Sequence, residues 1–217
     1  IAFYQNGDST GGDGDGSDWT KTTIITGVDG ASGAQSVFAA DIDGDGDMDV
    51  LSASRNDDTI AFYRNGDSTG GDGDGSDWTE TEITTGANDA VSVYAADIDG
   101  DGNQDVLSAS RSGIAFYQNG DGTSGDGDGS AWTETEITRF ADGPGSVFAA
   151  DIDGDGDMDV LSAASGFGDT IAWYENARIA DNVVYVDPDA TEGAEDGSSW
   201  VDAYLNPQDA LSNLPAG

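Results

Sequence analysis

The octapeptide Ala-Ala-Asp-Ile-Asp-Gly-Asp-Gly begins at residues 39, 95 and 149 of a 217-residue chain, at intervals of 56 and 54 residues. Two further elements keep step with it. Ile-Ala-Phe-Tyr opens at 1, 60 and 114 and returns as Ile171-Ala172-Trp173-Tyr174, and Trp-Thr-x-Thr recurs at Trp19, Trp78 and Trp132. Repeats of this length are single supersecondary units that bury their apolar faces against neighbouring copies.

Within one period the apolar residues form short runs without sustained helical spacing. The pattern predicts strands over 36–42, 48–54, 59–64 and 78–85. In the first, Val37, Ala39 and Asp41 point to one side and Phe38, Ala40 and Ile42 to the other. Both sides are apolar until the aspartates begin, so the strand must lie between two sheets. Four antiparallel strands per repeat, with alanines where sheets would converge, predict an all-β fold of β-propeller-type blades rather than a solenoid coil. The chain opens on a third strand and carries three pairs of first and second strands. Residues 1–177 are therefore expected to hold half a blade, two full blades and one nearly full blade. That is a partial propeller, completed by upstream blades or by a second chain.

Charge excludes much of the usual chemistry. There are 44 acidic and 6 basic residues, a net charge of −38, and neither histidine nor cysteine. No Ser-His-Asp or Cys-His nucleophile, His/Cys zinc site or disulfide can be built. Six scattered cationic side chains cannot form a phosphate-neutralising surface, so nucleic acid is not an expected partner. Aromatics at 9% are too many for a disordered acidic tail. No apolar run reaches the roughly eighteen residues of a membrane span.

The acids are placed rather than merely abundant. Residues 41–49, 97–105 and 151–159 each read D-x-D-x-D-G-x-x-D. In a tight loop the carboxylates at positions 1, 3 and 5 share one concave side and glycine at position 6 permits the turn. The carbonyl at 7 turns inward, and the carboxylate at 9 completes an oxygen shell for a hard cation such as Ca²⁺. Without a cation, four like charges would stand within a few ångströms of one another. An EF-hand is excluded because its position 12 needs a bidentate acid, and here that position is Ser52, Ser108 or Ser162. The competing reading, a polar Asp-Gly hairpin turn, needs one such dipeptide and not a spaced quartet in three copies.

The blocks Phe-Ala-Ala-Asp-Ile-Asp-Gly-Asp-Gly-Asp-Met-Asp-Val-Leu-Ser-Ala, each followed by Ile-Ala-Phe-Tyr or Ile-Ala-Trp-Tyr, resemble FG-GAP/VCBS-type repeats, the calcium-loop blades of integrin-like β-propellers. The resemblance spans about residues 1–177. It implies Ca²⁺ as the cofactor, with carboxylate ligands at Asp41, Asp43, Asp45 and Asp49, at Asp97, Asp99, Asp101 and Asp105, and at Asp151, Asp153, Asp155 and Asp159. It also implies carbonyl ligands from Asp47, Asn103 and Asp157.

That family does not account for an insertion between third and fourth strands, at 6–18, 65–77 and 119–131. Asp13, Asp15 and Asp18, with their copies Asp72, Asp74 and Asp77, form a second candidate metal set. The alternative is a mobile glycine-rich loop that keeps a strand edge soluble, and the loss of an acid at Ala131 favours it. The recurring tryptophans and tyrosines invite a sugar-stacking reading, but their strand positions favour core packing. Paired carboxylates invite a glycosidase reading, but the clustered aspartates are committed to metal and no lone Glu stands in an apolar setting.

After Asn176 the repeat stops. Residues 178–217 resemble the opening of a pectate-lyase-like right-handed β-helix, with Asn206, Pro207 and Asp209 as a helix start; the alternative is that 183–186 supplies the outer strand of the last blade. The expected function is a non-catalytic, calcium-stabilised extracellular or cell-surface module of a large adhesive or fibre-forming protein. Its partners would be other copies of itself or other surface proteins, met through strand edges. The alternative is a carbohydrate-binding propeller, with glycans as ligands, attached to a polysaccharide-degrading enzyme.

Overall fold

A computed structural model describes residues 1–6, 19–26, 30–66, 73–120, 127–139, 143–165 and 169–176. All belong to the unit Ile1–Asn176. The segment 178–217, with its β-helix resemblance, and the candidates Asp13, Asp15, Asp18 and Asp72 lie outside the described residues.

The described chain is all-β. Its strands are β1 (Ala2–Asn6), β2 (Trp19–Thr23), β3 (Ala34–Ala40), β4 (Asp49–Ser54), β5 (Thr59–Asn65), β6 (Trp78–Thr84), β7 (Ser92–Ala96), β8 (Asp105–Ser110), β9 (Gly113–Asn119), β10 (Trp132–Thr138), β11 (Pro144–Ala150), β12 (Asp159–Ala164) and β13 (Thr170–Tyr174). They form antiparallel meanders: β1-β2, β3-β4-β5-β6, β7-β8-β9-β10 and β11-β12-β13. Sheets of three and four strands in this order are consistent with β-propeller-like blades. No pairing among the described residues joins the first sheet to the last.

Register explains the two apolar faces. Phe38 lies opposite Leu51, and Leu51 opposite Phe62, so one large-residue row crosses β3, β4 and β5. Ala39, Val50 and Tyr63 form the row on the opposite face. The large face of the β3–β6 sheet packs on the small face of the β7–β10 sheet, where Val93, Ala95, Val106, Ala115 and Tyr117 are buried. The same pairing recurs one sheet on, with Leu107, Ala109 and Ile114 against Val147, Ala149 and Val160. Each fully buried aliphatic side chain contributes about 1.5–3 kcal/mol. Near-identical repeats thus stack in one polarity, and the rings of Phe38, Tyr94 and Phe148 follow one another at 4.6 and 4.7 Å between centroids.

The expectation that every first strand is sandwiched holds for β7 and fails for β3. Val93 is 4% exposed and its counterpart Val37 is 57% exposed. Among the described residues the preceding sheet is the two-stranded β1-β2, and no further strand there covers β3. On the large face of β11–β13 Ile171 is 85% exposed, where its counterpart Ile60 is fully buried under the next described sheet. Tyr63 and Tyr117 are core residues as expected, whereas Trp19 and Trp173 are exposed. Trp78 and Trp132 are half-buried, with Nε1 donating to the carbonyls of Gly75 and Gly129 at 3.0 and 3.1 Å.

Backbone amides also cross between sheets. Val93 donates to Ser36 Oγ at 3.4 Å and Val147 to Ser92 Oγ at 3.2 Å. The insertions take part as well: Gly129, in the left-handed region at φ 72°, lies so close to the Phe62 ring of the preceding sheet that a Cβ there would meet the ring at 2.6 Å.

Candidate metal centre

Each Asp-rich loop joins the first strand of a sheet to its second, and it is wound by its own carboxylates. In the first loop Gly46 N donates to Asp41 Oδ2 at 3.0 Å, Asp45 N to Asp43 Oδ1 at 3.3 Å and Asp47 N to Asp45 Oδ1 at 2.9 Å. The second repeats this with Gly102 on Asp97, Asp101 on Asp99 and Asn103 on Asp101. The third does so with Gly156 on Asp151, Asp155 on Asp153 and Asp157 on Asp155. The winding needs left-handed backbone at positions 4 and 6, which Gly44 and Gly46 supply at φ 72° and 97°.

One oxygen of each carboxylate is thereby held by the loop backbone, and the second oxygens differ in what they meet. In the first loop Asp41 Oδ1 and Asp45 Oδ2 are buried and accept no hydrogen bond. Asp43 Oδ2 is likewise buried without a hydrogen bond, but Arg64 Nε stands 2.5 Å away as an ion pair. In the second loop Asp97 Oδ1 is the orphan. Asp99 Oδ2 accepts from Gln118 Nε2 at 2.7 Å, and Asp101 Oδ2 from Asn103 Nδ2 at 3.0 Å. Burial raises Asp43 and Asp99 above the ordinary carboxylate range, and their Asp45 and Asp101 neighbours add to the rise.

Three groups bring one ligand atom from each residue within 4.8 Å of the others: Asp41, Asp43 and Asp45; Asp97, Asp99 and Asp101; and Asp151, Asp153 and Asp159. Ligand atoms about 2.4 Å from a shared calcium ion would stand at most about 5 Å apart. The donor set is all oxygen and hard, and buried carboxylate oxygens lack partners, so these residues fit a divalent cation of the calcium class.

The position-9 aspartates have a further role that sequence reasoning missed. Asp49, Asp105 and Asp159 are buried. Asp49 accepts Ile42 N on Oδ2 and Asn65 N on Oδ1, both at 2.9 Å. Asp105 does the same with Ile98 and Asn119, and Asp159 with Ile152 and Asn176. Each clasps the start of the loop to the end of a third strand. Burial pushes Asp49 up to about 6 and Asp105 up to about 7, against the opposing pull of those amides. At Asp159 the Asn176 amide dominates and holds the group below its usual value. No further sheet covers that loop among the described residues.

The asparagines form the other half of the clasp. Asn119 Nδ2 donates to Ile42 O of the preceding sheet's loop at 2.8 Å, and Asn176 Nδ2 to Ile98 O at 3.0 Å. A signal for them was present: Ile-Ala-aromatic-Tyr-x-Asn recurs with an invariant spacing at Asn6, Asn65, Asn119 and Asn176.

Of the second candidate set, Asp74 is an exposed turn residue whose Oδ1 accepts from Ser76 N at 2.9 Å, and the Ser76 hydroxyl, with that amide, holds its carboxyl below the usual range. Asp77 accepts Gly66 N on its backbone carbonyl. Neither belongs to the carboxylate groups found among the described residues. The described part of the insertion packs on the Asp loop: Gly73 N donates to Asp47 Oδ2 at 3.0 Å and Gly75 N to Asn65 Oδ1 at 2.9 Å.

Comparison with known proteins agrees with this architecture. The profile for the FG-GAP-like repeat matches residues 41–108 and 97–162, together more than half of the chain. No curated protein matches the chain. Among the described residues no helix is long and apolar enough to cross a membrane.

Proposed function

Because the chain belongs to the FG-GAP-like repeat family, we propose that it is a non-catalytic, calcium-stabilised module of an extracellular or cell-surface protein, with a structural or adhesive role. One observation carries the reading. Asp41, Asp43 and Asp45 each bind one backbone amide through one oxygen; Asp41 and Asp45 keep the other oxygen buried without a hydrogen bond, and that of Asp43 meets only Arg64. A fold that winds three carboxylates together in this way is stable only with positive charge among them. When bound, the cation supplies that charge. The chain's own contribution is to hold the oxygens in place: glycines at positions 4 and 6 wind the loop, and the position-9 aspartate ties it to the third strand.

The finer expectations follow from the same reading: Ca²⁺ in loops 41–49, 97–105 and 151–159, propeller-type blades, and a place in a larger surface protein. The carbohydrate alternative draws no support from Trp78 and Trp132, because each is half-buried with its indole N–H committed to a backbone carbonyl.

Titration calorimetry of chelator-treated protein with CaCl₂ tests the proposal. Saturable heat and a melting temperature that rises with calcium and falls again with EDTA are expected. With free calcium about a hundredfold above the dissociation constant, each loop adds about 2.7 kcal/mol by mass action. Absence of both heat and shift overturns the reading.

A further inference from the structure

The residue before each clasp asparagine differs between repeats: Arg64 before Asn65, Gln118 before Asn119 and Glu175 before Asn176. In the first two repeats its side chain reaches the same target, the position-3 carboxylate of its own loop. Arg64 Nε stands 2.5 Å from Asp43 Oδ2, with the aspartate side chain only 1% exposed. Gln118 Nε2 donates to Asp99 Oδ2 at 2.7 Å. Arg64 is held there from two other directions. Its guanidinium lies over the Phe62 ring at 5.7 Å, and its terminal nitrogen donates to the carbonyl of Asp128, in the next sheet's insertion, at 3.0 Å.

The two partners occupy one position and differ in charge. A guanidinium is cationic at every accessible pH, and it repels a dication a few ångströms away even where the surroundings are polar. A glutamine amide is neutral and can give up its hydrogen bond without leaving a charge behind. The first loop also has Asp47 where the second has Asn103, so the net charges of the two sites balance. Their placement does not: Asp47 Oδ2 accepts Gly73 N of the insertion, whereas Arg64 sits on a buried oxygen among the loop carboxylates.

We propose that Arg64 is a resident counter-ion of the first loop, competing with an incoming divalent cation for Asp43, so that loop 41–49 binds calcium more weakly than loop 97–105. The inference rests on the calcium reading above and adds to it an order of filling. Arg64 stabilises the empty first loop in a way that Gln118 cannot stabilise the second.

The test is calcium titration calorimetry on the full chain and on the variants Arg64→Gln, Arg64→Lys and Gln118→Arg, each checked for folding by circular dichroism. Arg64→Gln is expected to tighten the weakest class of sites on the order of tenfold, the scale on which ligand charge tunes such loops. Arg64→Lys keeps the charge and is expected to keep the weak class. Gln118→Arg is expected to weaken a second site by a similar factor. Calcium binding with constants unchanged in both Arg64→Gln and Gln118→Arg overturns this inference and leaves the calcium reading standing. No calcium uptake by any of the four proteins overturns both.

Discussion

Asn119 Nδ2 donates to the backbone carbonyl of Ile42, 2.8 Å away and 77 positions earlier in the chain. The same amide reaches Gln104 O and Gly127 O at 3.1 and 3.2 Å, and its Oδ1 accepts from Gly129 N at 3.0 Å. One fully buried side chain therefore joins two Asp loops and an insertion from adjacent sheets.

Asn119→Ala leaves these groups unpaired in a buried site, where each costs about 1–3 kcal/mol. Even with partial compensation by water, a loss of about 2–4 kcal/mol is expected. Asn176→Ala should cost less, because Asn176 is only partly buried. Urea denaturation of both variants measures the difference. Equal losses would show that burying this link adds nothing to its strength.

Asp99→Asn should abolish calcium binding in its loop, whereas Asp74→Asn should leave every site intact. Asp99 lies in a group of three carboxylates, and Asp74 holds only a local turn with Ser76. Calcium titrations of the two variants decide it. A site lost in Asp74→Asn would mean that the insertions also bind metal.

The cation-free protein should lose stability as pH rises. Burial raises Asp49 to about 6 and Asp105 to about 7 from an ordinary 3.8. The folded state therefore holds these protons more tightly than the unfolded chain. Their contribution is complete below the unfolded value and is lost as pH climbs through the folded one. Repulsion among the many remaining carboxylates acts in the same direction. Melting curves of calcium-stripped protein in EDTA between about pH 4.5 and 8 should therefore shift downward with pH, and excess calcium should flatten the trend. A melting temperature that rises with pH in EDTA would contradict the assignment.

Association through strand edges is the last expectation. Among the described residues β1 pairs only with β2, and β13 only with β12, whereas their counterparts β5 and β9 are paired on both sides. Unpaired apolar edges template pairing with another chain, and head-to-tail contacts close into rings or grow into filaments. The exposed Ile171 and Trp173 would be covered in the same step. Light scattering in millimolar calcium should show oligomers that are lost on deleting residues 1–5 and weakened by Ile171→Ser. A well-folded, strictly monomeric species rules the idea out.

The sequence alone determined the strands, their order and the three acidic loops, because those rest on local rules. Alternation along a strand, the Asp-x-Asp spacing and glycine at a turn act within a few residues, and identical segments obey them identically. Sequence reasoning placed four strands per repeat within one or two residues of β3, β4, β5 and β6. Only the tertiary structure decided what makes the copies unequal. Val37 and Val93 occupy the same motif, yet one is exposed and the other buried, because burial depends on whether a neighbouring sheet is there to cover the face. Asp105 became a clasp as well as a candidate ligand because β9 ends beside the loop. Arg64 met Asp43 because the register of β4 and β5 returns the chain to the loop. Contacts of this kind are properties of packing between separate segments, and a recurring residue such as the clasp asparagine signals them without saying what it meets.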